Sequence, residues 1–178
     1  NTLTGTSGSL SGSPVTFTAN GVTGTATIGV DAGNNQTATV STAVGVAPSV
    51  LIKDNNNNPI SGAPVTFAVA SGSGSITGAT TTTNASGIAT VGSWTLGTSV
   101  GANTLTATAS GSGISGNPVT FTATAVPGAA AALQFSVQPT TTVVNQPLTP
   151  AVQVAIVDAF GNLDSSATTS VAVAPDSA

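Results

Sequence analysis

Three copies of Pro-Val-Thr-Phe, at 14–17, 64–67 and 118–121, constrain this chain more than any other feature in it. Each opens a stretch in which apolar residues alternate with polar or small ones: Val15/Phe17/Ala19, Val65/Phe67/Val69 and Val119/Phe121/Ala123. A period of two puts one face of a segment in a core and the other in water, which describes a β-strand. Threonine suits the wet, pleated face. The leading proline lacks an N–H and fits the start or the edge of a strand. The same reading predicts strands over 25–30, 50–53, 87–91, 103–109, 133–137 and 152–157, with turns rich in Asn, Asp, Gly and Ser at 31–35, 54–59, 71–75, 84–87 and 159–162. No window carries apolar residues at helical spacing. About seven short strands per hundred residues predict an all-β fold of antiparallel, immunoglobulin-like sandwiches in tandem.

The tandem arrangement comes from an internal repeat. NTLTGTSGSLSGSPVTFTA at 1–19 returns as NTLTATASGSGISGNPVTFTA at 103–123. A weaker pair joins 49–70 to 152–174, with Val50, Ile52, Asp54, Asn58 and Val69 meeting Val154, Ile156, Asp158, Asn162 and Val173 at a spacing of 104. One unit is therefore about 104 residues long. The division expected is the terminal strands of one sandwich (1–22), a complete sandwich (23–126) and the first half of another (127–178).

The residue types that are missing exclude whole classes of function. There is no His, Cys, Met, Tyr, Glu or Arg, and only one Lys and five Asp. No ordinary acid–base pair, thiolate nucleophile or zinc site can be assembled, so no enzyme, cofactor or metal centre is expected. Without a basic face, nucleic acid is not a partner. No apolar run approaches the ~18 residues of a membrane span, so no membrane insertion is expected. The surface must be kept wet by hydroxyls and amides, supplied by 32 Thr and 21 Ser. The near absence of Lys and Arg removes the cleavage sites of trypsin-like proteases. That favours an extracellular or bacterial cell-surface setting.

Residues 25–126 resemble the bacterial immunoglobulin-like repeats of the invasin and intimin type. IKDNNNNPISGAPVTFAVASGSGSI (52–76), TTTTNASGIATVGSWTLGTSVGANTLTATA (80–109) and PVTFTATA (118–125) carry the resemblance. It implies rods of stacked domains on a bacterial surface, without catalytic sites, in a spacer, adhesive or fibre-forming role.

Candidate sites are few. Trp94 is the single Trp and reads as core or as a platform for stacking a sugar. Lys53-Asp54 reads as an exposed ion pair at a strand end, or as a crosslinking lysine if burial overrides the alternation that turns Lys53 away from the core. Asp158, Asn162 and Asp164 offer oxygen ligands for calcium, yet the same side chains cap turns unaided, as Asp54 and 55–58 do in the equivalent turn. Asn35 and Asn84 open N-glycosylation triplets. Phe160 sits in a turn, out of place for an aromatic core residue.

The ends carry the functional reading. Val15 and Phe17, and Leu133 and Phe135 with Val154 and Ile156, belong to half-sandwiches whose apolar faces would lie in water. Open edges and faces of this kind recruit strands from another chain. The expected partner is a second copy, joined head to tail into a filament, since such a contact does not close on itself. The match is incomplete: about 28–30 residues, corresponding to 75–102, have no counterpart in a joint made this way. The competing expectation is an excerpt of a surface adhesin, serving as a stalk or binding a glycan or host protein.

Overall fold

A computed structural model describes residues 2–18, 25–141 and 143–174. Ala19 and the rest of 19–22 lie outside the described residues, as does Asn1. Among the described residues there are fifteen strands and no helix, so none is long and apolar enough to cross a membrane. In chain order they begin with β1 (Thr2–Gly5), β2 (Val15–Thr18), β3 (Ala26–Ala32), β4 (Gln36–Thr39) and β5 (Ser49–Asp54). Next come β6 (Pro64–Ser71), β7 (Ser75–Thr77), β8 (Thr80–Thr82), β9 (Ile88–Thr90) and β10 (Ser93–Thr95). The last five are β11 (Gly101–Ala109), β12 (Ile114–Ser115), β13 (Val119–Val126), β14 (Ala132–Val137) and β15 (Gln153–Val157).

The strands from β3 to β13 build an all-β sandwich. One layer has the order β4-β13-β11-β6-β8 and the other β12-β3-β5-β9, with β7 and β10 paired at one end. The alternating stretches do what their period requires. In β13 every second residue is buried, Val119, Phe121, Ala123 and Ala125, and in β11 so are Asn103, Leu105, Ala107 and Ala109. The register sets Leu105 between Phe121 and Val69, and Ala107 between Val119 and Phe67. The Phe67 and Phe121 rings meet with centroids 6.4 Å apart, tilted by 38°. Ile28, Val50 and Ile52 close the core from the opposite layer. A core built from Ala and Val gains little area per residue, so these few large side chains carry a large share of the burial.

Trp94 is fully buried opposite Ile76 on β7. The sugar-platform reading fails for that reason. Its indole N–H is buried without a hydrogen-bond partner among the described residues, so the residue serves here as packing volume. The turn expected at 71–75 is shorter than the sequence suggests: Ser71 still belongs to β6 and Ser75 already opens β7. The short strands β4, β7, β8, β10 and β12 were not expected, because two to four residues are too few to establish a period.

Two hairpins lie outside the sandwich, and each reproduces part of it. In β1–β2 the pairs Leu3↔Phe17, Thr4↔Thr16 and Gly5↔Val15 repeat Leu105↔Phe121, Thr106↔Thr120 and Ala107↔Val119. In β14–β15 the pairs Leu133↔Ile156 and Phe135↔Val154 repeat Ile28↔Ile52 and Val30↔Val50. The bulge before Val137 repeats the one before Ala32.

Candidate functional site

The first candidate site is the pair of faces that these hairpins leave open. Phe17 is 61% exposed, whereas its counterpart Phe121 is 0% exposed. Leu133 is 59% exposed, whereas Ile28 is 5% exposed. Val15 is exposed too, and Val154 and Ile156 are half-buried. Phe135 is exposed, but its counterpart Val30 is also exposed in the full sandwich, so Phe135 stands at the rim of the face. In the sandwich, the layer holding the β1–β2 equivalents packs against the layer holding the β14–β15 equivalents. The two open faces therefore belong to opposite layers of one architecture.

The second candidate site is a turn that occurs twice. Asp158 Oδ1 accepts hydrogen bonds from the backbone N–H of Phe160 and of Asn162, both at 2.9 Å, and Oδ2 accepts one from the Asn162 side-chain amide at 2.9 Å. Asp54 holds Asn56 and Asn58 in the same way, at 2.8, 2.8 and 3.0 Å. The second copy makes further bonds. Gly128 N–H donates to Asp158 Oδ2 at 2.9 Å, the Asn162 amide donates to the Thr98 carbonyl at 2.8 Å, and Val100 N–H donates to Asn162 Oδ1 at 3.2 Å. The turn after β15 is thus seated on the loop between β10 and β11. That loop is itself held from below: buried Asn103 accepts from Gly97 N–H and donates to the Gly101 carbonyl.

The charge on this turn is tuned by the same contacts. Burial works to raise the Asp158 carboxyl, but the Asn162 amide and the N–H groups of Gly128, Asn162 and Phe160 outweigh it and hold it at about 2, below the ordinary 3.8. Asp54 is lowered in the same direction, first by the Asn58 side chain and then by the Asn58 and Asn56 N–H groups. A carboxyl with a depressed folded-state pKa adds stability that is complete above its unfolded value and lost as pH falls through the folded one. The melting temperature is therefore expected to stay level above about pH 5 and to fall as pH drops toward 2. Asn162→Ala should shrink that fall; thermal melts across this range check it.

The remaining candidates lie apart. Asp164 accepts from the N–H and hydroxyl of Ser166, and among the described residues no three Asp, Glu, His or Cys side chains come together so as to hold a metal ion. Asn35 is exposed, and its Oδ1 accepts the Thr122 hydroxyl. Asn84 is exposed, and its Oδ1 accepts from the N–H of Ser86 and of Ile88. Lys53 is half-buried opposite Thr27, while the Asp54 oxygens are taken up by its own turn. Phe160 is exposed beside that turn's counterpart.

Residues 42–124 match the family model of the bacterial Ig-like domain (group 1). Over that stretch the chain is similar to a bacterial Ig-like domain. A search of curated proteins finds no match. The matched span runs from β5 to β13 and holds Phe67, Trp94, Phe121 and the Thr98–Val100 loop. It agrees with the invasin- and intimin-type likeness of 25–126. Bacterial Ig-like domains of this kind are usually found on cell-surface proteins. What sequence reasoning missed was the seat of the second turn, the loop at 98–100. The only signal was the fixed spacing of Asp54/Asn58 and Asp158/Asn162, which marks a repeated device without revealing what it touches.

Proposed function

We propose that this chain is a non-enzymatic structural subunit of an extracellular filament or surface fibre, assembled head to tail by strand complementation. The single observation behind this reading is the complementarity of the two open hairpins. One repeats the register of β11–β13 and the other that of β3–β5, which are facing layers in the complete Ig-like domain. Laying the β1–β2 face of one copy on the β14–β15 face of the next would cover Leu3, Val15 and Phe17 together with Leu133 and Ile156. Apolar burial would drive that contact, so it should tolerate salt. The contact is heterologous and continues from copy to copy.

A second reading has its own support. The Asn162 bonds to the loop at 98–100 tie successive elements within one chain, as the stalk of a surface adhesin requires. Electron microscopy and sedimentation of the purified chain separate the two. The filament reading expects fibres from the full chain and none after deletion of residues 1–19. Fibres of unchanged subunit spacing from the shortened chain would exclude β1–β2 as the donor. A chain that stays monomeric in both forms supports the stalk.

A further inference from the structure

We infer that the Asp54–Asn58 turn is a docking surface for another Ig-like unit, which it takes by the loop corresponding to Thr98–Val100. The turn after β15 already shows the docked form. Six of its hydrogen bonds recur at Asp54: the three carboxylate bonds given above, Asp54 N–H to the Asn58 carbonyl, Asn57 N–H to the Asp54 carbonyl, and Ile60 N–H to the Ile52 carbonyl. Their counterparts run from Asp158 to Asn162, Gly161 to Asp158 and Asp164 to Ile156. The left-handed position recurs as well, with φ of 65° at Asn57 and 82° at Gly161.

The two copies differ in what lies on them. Asn162 is half-buried and bonded to the Thr98–Val100 loop, and Asp158, which takes the Gly128 N–H, is 2% exposed, whereas Asn58 is exposed. Asn58 spends its amide on Asp54 Oδ2, and its Oδ1 accepts no hydrogen bond among the described residues. At Asn162 the same two groups meet a carbonyl and an N–H two residues apart. A primary amide pairs with that spacing as donor and acceptor at once. The recognition uses backbone atoms and one Asn, so it needs no charge and no aromatic anchor, which suits this composition. The partner is therefore a second copy of the repeat unit, seated on the side of the domain opposite to its own Thr98–Val100 loop along the chain. This joint is made between whole units, so it can hold where strand complementation between hairpins fails, and the reverse.

The chain has no cysteine, so paired cysteines report the joint directly. The test uses a chain with the complete unit duplicated in tandem, residues 1–126 followed by 23–178. Ser99→Cys in the first copy is paired with Asn56→Cys in the second and treated with a short bifunctional thiol reagent. The reference is Ser99→Cys with Phe160→Cys in the 178-residue chain, where the joint is formed. The expected result is crosslinking within about threefold of the reference rate. Asn58→Ala in the second copy should slow it at least tenfold without affecting the reference pair. A rate no higher than that of Ser99→Cys paired with Thr66→Cys, an exposed site in mid-β6, overturns the inference. That comparison needs no change at Asn58, so it holds even if Asn58→Ala disturbs the turn.

Discussion

Phe121→Ala is expected to lower the stability of the sandwich by about 3–5 kcal/mol, as is Phe67→Ala. Both rings are fully buried, and each fills space that Ala and Val neighbours cannot reach after truncation. Phe17→Ala removes the same ring from the same register position, yet it should change the stability of the isolated chain by less than about 0.5 kcal/mol, because Phe17 already faces water. The contrast matters more than either value. It separates the intrinsic worth of a position in the repeat from the worth of having the opposite layer present. Urea unfolding followed by the fluorescence of buried Trp94 reads it out. Equal losses for Phe17 and Phe121 would mean that the β1–β2 face is covered in the monomer.

Gly97→Ala is expected to cost about 1–3 kcal/mol and to loosen the joint with the following hairpin. A Cβ at Gly97 would overlap the carbonyl oxygen of Gly72, a backbone atom with no side-chain freedom to give way. Gly72 cannot yield, because it has a φ of +90° and lies against Asn103. Asn103 in turn accepts from Gly97 N–H, so one methyl disturbs the residue that carries Thr98–Val100 toward Asn162. Amide exchange at Val100 should quicken in this variant even under conditions where Phe121 stays packed.

The sandwich was legible in the sequence because its core strands are long enough to show their period. Val65, Phe67, Leu105, Val119 and Phe121, which alternation places inside, are all buried, while Val69, placed inside by the same alternation, is half-buried. Trp94 was ambiguous, since a lone aromatic between Ser93 and Thr95 carries no pattern; only the tertiary fold puts β10 beneath the loop at 40–44. The joint was illegible for a different reason. Asp158 and Asn162 announce a turn by their types, but what a turn rests on depends on residues sixty positions away, and Thr98 and Val100 contribute only backbone atoms. Gly72 and Gly97 look like ordinary turn glycines, and their shared close approach exists only after folding.

Contact between Leu3 or Phe17 of one molecule and Leu133 or Ile156 of another is the most direct measure of head-to-tail assembly. Assembling an equal mixture of carbon-13- and nitrogen-15-labelled chains and recording solid-state correlations between the two labels reads only intermolecular neighbours. The account predicts cross-peaks joining the β1–β2 face to the β14–β15 face. Assemblies in which those cross-peaks are absent, or which join β1–β2 only to itself, would contradict it.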